Sequence, residues 1–250
     1  MSQTAFITGA TSGIGKATAK LFAKKNINLV LCGRRTAQLQ ELKDELSKLT
    51  NVHTLTFDIR FNNDVITAIN SLPEDFKNID ILINNAGNAH GLSTIQDGSI
   101  EDWDAMIDGN VKGLLYVSKA IMPKMIENNS GFIVNIGSIA GKEVYPNGNV
   151  YCASKFAVNA LNKAMRIDLN KHNIRVSAIH PGAVETEFSD VRFKGDTKKA
   201  ESVYQGYNAL QAEDIADIIY FVITRPYHVN IEDLIVYPTA QASATILHKD

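Results

Sequence analysis

Short runs of aliphatic and β-branched residues alternate with longer stretches whose apolar positions recur at helical spacing, almost from end to end of the chain. Strands are predicted at 3–8, 28–32, 52–57, 79–83, 131–136, 174–180 and 232–237. Helices are predicted near 14–25, 36–49, 62–71, 101–127, 151–171 and 212–224. In the second of these, Leu39, Leu42, Leu46 and Leu49 recur at steps of three and four, which places them on one face. Ile79-Asp80-Ile81-Leu82-Ile83 is almost wholly apolar, as a strand covered by helices on both sides must be. Strict alternation of this kind predicts one α/β domain, a doubly wound parallel sheet of about seven strands spanning 1–250. The least regular stretch, Pro181 to Ala200, follows a predicted strand, where ligands of open α/β sheets bind. A substrate lid over 181–210 is therefore expected.

Composition narrows the function classes. A chain of 250 residues can bury one sizeable core without dividing. A formal charge of −2 gives no electrostatic reason to expect nucleic acid or an anionic membrane as the main partner. No apolar run approaches the roughly 20 residues that span a bilayer, and no basic, long-apolar signal pattern opens the chain, so a cytoplasmic location is expected. Cys32 and Cys152 are too few and too far apart for a disulfide framework or a metal site.

The first strand runs into Thr8-Gly9-Ala10-Thr11-Ser12-Gly13-Ile14-Gly15. Glycine permits a tight turn and lets backbone approach a phosphate, and the N-terminus of the following helix favours a pyrophosphate. The second strand ends Gly33-Arg34-Arg35, where a cofactor lacking a 2′-phosphate usually meets a carboxylate. Two guanidinium groups in place of an acid suit a phosphate dianion, so NADP is favoured over NAD. Asp58, after the third strand, could accept from an adenine amino group or could cap the strand end; both remain open, and Ile59 accompanies it. Farther on, Tyr151 and Lys155 stand one helical turn apart on one face. Such a pair can protonate or deprotonate an oxygen beside a nicotinamide. A free phenol is a poor base at neutral pH, and a nearby ammonium would favour its ionised form. Ser138, after the fifth predicted strand, would donate to the same oxygen. His180 is expected to be structural.

Thr8–Gly15, Asn84-Asn85-Ala86-Gly87, Asn110, Ser138, Tyr151-Cys152-Ala153-Ser154-Lys155 and Pro181-Gly182, in that order, resemble the short-chain dehydrogenase/reductase family over essentially the whole chain. The resemblance implies a Rossmann-like fold, hydride transfer and the roles of several residues. Lys155 would also hold the nicotinamide ribose, and Asn110 a water linking that lysine to solvent. Asn85, Ala86 and Gly87 would line the cofactor channel. Pro181, Gly182, Val184 and Thr186 would close over the nicotinamide carboxamide, with Glu185 and Glu187 solvated. A homotetramer built across the two long helices is implied as well.

Two segments sharpen the resemblance. The last strand leads into Val236-Tyr237-Pro238-Thr239-Ala240-Gln241-Ala242-Ser243, and the lid carries Glu187 to Asp196. Both resemble the NADP-dependent 3-hydroxy acid dehydrogenases, which implies oxidation of short hydroxy acids such as L-serine and L-allo-threonine, and reduction of small carbonyl acids. Arg192 or Lys194 could clamp the acid group; alternatively Arg192 could pair with Glu185, Glu187 or Asp190. A broad carbonyl reductase and a non-catalytic NADP(H) sensor are the competing functions.

Overall fold

The computed structural model describes residues 2–249. Chain order runs β1 (Thr4–Thr8), α1 (Gly13–Lys24), β2 (Asn28–Gly33), α2 (Thr36–Leu46), β3 (Val52–Thr56), α3 (Asn62–Asn70), β4 (Ile81–Asn84), α4 (Ile100–Ile107) and α5 (Leu114–Glu127). It continues with β5 (Gly131–Ile136), α6 (Asn149–Leu169), β6 (Ile174–Pro181), α7 (Phe188–Arg192), α8 (Thr197–Ser202), α9 (Ala212–Ile223) and β7 (Asp233–Val236). The seven strands form one parallel sheet in the order β3-β2-β1-β4-β5-β6-β7. Strand order reverses between β1 and β4, which opens a crevice at their carboxyl ends.

Successive strand residues point to opposite faces, so each buried strand feeds two cores. Ala5 and Ile7 of β1 join Leu29, Leu31, Phe22, Leu39, Ile215 and Ile219 under α1, α2 and α9. Phe6 joins Val30, Leu82, Ile133, Val117, Met125 and Val158 under α5 and α6. This two-sided burial is why the strands read as continuous apolar runs.

Every predicted strand exists, with ends displaced by a residue or two. Three differences are informative. The helix predicted at 36–49 ends at Leu46, so Leu49 lies beyond it and is exposed rather than on the buried face of Leu39, Leu42 and Leu46. The helix predicted at 101–127 is interrupted by a π-helical turn, Asp108–Gly113, between α4 and α5. The stretch 181–200 is not wholly irregular, since it carries α7 and α8. Helices of five or six residues leave too little periodicity to detect.

Candidate active site

The cleft at the carboxyl ends of the strands has a volume of about 800 Å³. Its floor is the glycine turn. Gly9 and Gly13 adopt left-handed backbone angles (φ 64° and 49°), which glycine tolerates best. Gly15 is excluded from bearing a side chain for another reason: a Cβ there would lie 2.4 Å from the Gly9 carbonyl oxygen. The Thr8 hydroxyl accepts from the backbone N–H groups of Asn85 and Ala86, both at 2.9 Å, and the Asn85 amide donates to the carbonyls of Thr8 and Gly9. The loop after β4 is thereby stitched to the turn. Thr11, Ser12, Gly13 and Ile14 line the cleft at the start of α1, forming a cradle that fits a pyrophosphate.

Arg34 and Arg35 lie at one end of this cleft. Arg35 donates to the Thr11 hydroxyl through Nε and Nη2 (3.1 and 2.9 Å) and pairs with Glu187 at 2.9 Å. Glu187 is thus paired as well as exposed, and Glu185 accepts from Gln211, where both acids were expected to be merely solvated. Asp58 binds Arg60 through both carboxylate oxygens and lies 3.8 Å from Arg34. Burial alone would push the Asp58 carboxyl up, but the hydrogen bonds and charge of Arg60, with Arg34 behind, hold it below its ordinary value. Ile59 lines the cleft beside it and packs on Gly113.

Ser138, Tyr151 and Lys155 converge at the other end. Ser138 follows β5 and its Oγ accepts from the Ala140 N–H at 3.1 Å, leaving its own hydrogen free to donate. Lys155 is buried and donates to the Ile136 carbonyl at 3.0 Å. Burial lowers its pKa from 10.5 to about 8. Burial and the neighbouring Tyr145 push the Tyr151 phenol up, while the Ser138 hydroxyl and the Arg192 charge pull it back. The fall expected from Lys155 is therefore not what the protein alone provides: its Nζ lies 6.0 Å from the Tyr151 ring centroid and turns to a carbonyl.

Asn110 sits in the π-helical turn and does not itself line the cleft. Its side chain accepts from the Asn88 N–H and donates to the Asn88 carbonyl and to Ser154, so these groups occupy the side chain expected to hold a water. Gly87 packs between Asn110 and Lys155: a Cβ would lie 3.0 Å from Asn110 Oδ1 and 3.5 Å from Lys155 Nζ. Apart from Asn110, Gly15 and Lys194, every site residue named from the sequence lines the cleft, including Pro181, Gly182, Val184 and Thr186.

Arg192 donates to the Tyr145 hydroxyl at 2.9 Å, and its guanidinium lies 5.5 Å from the ring centroids of both Tyr145 and Tyr151. It pairs with none of Glu185, Glu187 and Asp190. Lys194 is held by Asp102 at 2.9 Å, away from a clamping role. Phe188 packs on Tyr151 at 5.7 Å. Tyr145 carried no sequence signal, since nothing about its spacing from Tyr151 is helical. His180 is fully buried under Gly137, with Nδ1 3.2 Å from the Ser138 carbonyl. Burial and the Lys142 charge lower its pKa to about 4. Among the described residues no cluster of three or more His, Cys, Asp or Glu could hold a metal, and no helix is long and apolar enough to cross a membrane.

A family model described as short chain dehydrogenase matches residues 3–197. The chain is 44% identical to sulfoacetaldehyde reductase 2 of Chromohalobacter salexigens over 252 aligned positions, covering all of both chains. It is 45% identical to the NADP-dependent 3-hydroxy acid dehydrogenase YdfG of Escherichia coli strain K12, covering 95% of this chain and 96% of that one. Among solved structures it resembles the closed form of a serine dehydrogenase complexed with NADP+, with a TM-score of 0.94, 43% identity, and coverage of 99% and 100% of the two chains.

Proposed function

The chain belongs to the short chain dehydrogenase family, and from that membership we propose that it moves hydride between NADP and the hydroxyl-bearing carbon of short 3-hydroxy acids, with Tyr151 as acid and base. It is an NADP-dependent oxidoreductase acting on CH–OH groups. The observation that carries the finer assignment is the meeting of Ser138, Tyr151, Lys155 and Arg192 at one end of a cleft whose other end holds the glycine turn and Arg35.

When bound, NADP supplies the hydride acceptor for oxidation and the hydride donor for reduction. The chain supplies everything else. Gly9 to Gly15 and the α1 N-terminus would hold the pyrophosphate, Arg34 and Arg35 the 2′-phosphate, and Asp58 and Ile59 the adenine. Asn85, Ala86 and Gly87 would line the cofactor channel, and Pro181, Gly182, Val184 and Thr186 would cover its nicotinamide end. Lys155 has three hydrogens and gives one to Ile136, leaving two for ribose hydroxyls. In oxidation the Tyr151 phenolate takes the substrate hydroxyl proton while Ser138 donates to the same oxygen and fixes it. In reduction the phenol returns that proton. Arg192, with the Tyr145 hydroxyl beside it, clamps the substrate's carboxylate, and the 181–210 segment acts as the lid that brings it there.

L-Serine and L-allo-threonine fit as 3-hydroxy amino acids, and small carbonyl acids fit in the reverse direction. The similarity to a sulfoacetaldehyde reductase favours a second substrate class, because a guanidinium binds a sulfonate's oxygens as it does a carboxylate's. Exposed apolar side chains on the outer faces of α5 and α6 (Leu115, Phe156 and Ile167) support a homotetramer, and a cytoplasmic location completes the proposal.

The test is an initial-rate panel following reduced nicotinamide, with NADP and NAD over L-serine and 3-hydroxypropionate, and with NADPH and NADH over sulfoacetaldehyde and a bulky aromatic ketone. Rates highest with the small acids and NADP are expected, together with loss of turnover in Tyr151→Phe. Preference for the aromatic ketone would replace the proposal with a broad carbonyl reductase; a Tyr151→Phe variant with intact biological activity would replace it with a sensor.

A further inference from the structure

A phosphate dianion binds a guanidinium best where no other anion already holds it. Arg34, Arg35, Asp58 and Arg60 line the end of the cleft where the 2′-phosphate of NADP would sit. Asp58 is taken up by Arg60, whose Nη2 lies 2.7 Å from it, and Arg34 at 3.8 Å is its lesser partner. Arg35 is held differently. Its Nε and Nη2 fork onto the Thr11 hydroxyl, which fixes the plane of the guanidinium, and its Nη1 donates to Glu187 at 2.9 Å. Glu187 does not belong to this part of the fold. It follows β6, which stands four places from β2 in the sheet, and precedes α7 in the 181–210 segment. Its neighbours hold its backbone in place. Thr186 packs on Gly13, where a Cβ would lie 3.2 Å from the threonine methyl, and Phe188 packs on Tyr151 at 5.7 Å. Neither side chain of the Arg35–Glu187 pair is buried, so the carboxylate sits on the arginine open to exchange with another anion.

We propose that Glu187 is a built-in competitor of the cofactor's 2′-phosphate for Arg35, so that it weakens NADP binding selectively and limits how far NADP is preferred over NAD. This rests on the reading that Arg35 holds the 2′-phosphate. The arriving dianion must displace the carboxylate or share one guanidinium with it, and either course lowers affinity because the two anions repel. NAD brings a neutral ribose hydroxyl to the same place and leaves the ion pair intact. The effect is bounded, since an exposed ion pair contributes little, and removing the carboxylate is worth about threefold in affinity. A looser hold on the phosphate favours exchange of cofactor after each turnover, a step that limits many enzymes.

The experiment is isothermal titration calorimetry of the wild type and Glu187→Gln, which keeps the shape and removes the charge. The ligands are NADP, NAD and 2′,5′-ADP, the last lacking the nicotinamide that Thr186 would cover. Kd for NADP and for 2′,5′-ADP is expected to fall about threefold in Glu187→Gln while Kd for NAD stays where it was. The gain should vanish in the Arg35→Ala background, where the carboxylate has no guanidinium to withhold. A rise in Kd for NADP and NAD alike makes the pair a clasp over bound cofactor; an equal fall for every ligand makes it a diffuse field; no change makes it an incidental surface contact. Any of those results overturns the proposal. Glu187→Ala, titrated in the same way, guards against a glutamine that rebuilds the contact, and NADP must again tighten without NAD. If Arg35→Ala leaves the ratio of the NADP and NAD Kd values unmoved, the reading of Arg35 itself fails. If that ratio collapses in Arg35→Ala but does not respond to either change at Glu187, only the role of Glu187 fails.

Discussion

Lys155→Met is expected to raise the stability of the cofactor-free protein while abolishing its activity. Lys155 is 6% exposed, and its ammonium has one hydrogen-bond partner, the Ile136 carbonyl. Burial lowers its pKa from 10.5 to about 8. The folded state thus binds this proton less well than the unfolded state, and holding the charge at pH 7 destabilises the fold by about 3 kcal/mol. Methionine fills a similar volume without charge. It forfeits the hydrogen bond to Ile136, which offsets the gain by about 1–2 kcal/mol. The net expectation is a stabilisation of about 1–2 kcal/mol, or roughly 2–8 °C in Tm for a chain of this length. The sign with pH is fixed as well. The penalty is fully present below pH 8 and fades as pH rises toward 10.5, reaching about 1.4 kcal/mol at pH 9.5. Thermal melts of both proteins without NADP at pH 7 and 9.5 should show the methionine variant ahead at the lower pH and its lead shrinking at the higher. A variant that melts below the wild type at pH 7, or a lead that does not narrow, refutes the idea that the lysine is held there at a cost to the fold.

Arg35→Ala, which removes the fork on Thr11 and Glu187, should raise KM for NADP roughly tenfold while leaving KM for NAD nearly unchanged; equal effects on both cofactors would move the 2′-phosphate elsewhere. Gly15→Ala places a methyl 2.4 Å from the Gly9 carbonyl oxygen, so about 1–3 kcal/mol of stability and most NADP affinity should be lost, as read by thermal melts with and without NADP. His180 is held neutral well below its ordinary pKa of 6.5, so the wild type should lose stability as pH falls from 6.5 toward 4. The same decline should be flatter in His180→Asn, in urea titrations across that range. If the proposed homotetramer forms across α6, Phe156→Glu on its outer face should shift the protein to smaller species in sedimentation, and an unchanged sedimentation profile would place any interface off α6.

The fold was legible because its strands are buried on both faces. Runs such as Ile81 to Asn84 need no partner to be recognised, and parallel strands separated by helices leave few topologies. What escaped depended on geometry that apolar spacing does not encode. The π-helical turn at Asp108–Gly113 keeps helical periodicity nearly intact, so 101–127 reads as one helix although it changes pitch in the middle. Leu49 continues the leucine rhythm one step past the point where α2 stops.

The site divides along the same line. Gly9, Gly13 and Gly15 were legible because a turn and a close approach leave glycine as the residue that fits, which is a local requirement. Tyr151 and Lys155 were legible as a pair because four residues along a helix bring side chains together. Their electrostatic relation was not, because it depends on what each meets beyond its own helix. Lys155 meets a carbonyl of β5 rather than the phenol, and the phenol meets a guanidinium that lies 41 positions further along the chain. Spacing on one helix fixes which groups can act together; the acidity with which they act is set by burial and by charges from distant segments. A tyrosine read from its own helix alone is therefore given its neighbours on that helix and only part of its electrostatic setting; the rest comes from burial and from the Arg192 guanidinium.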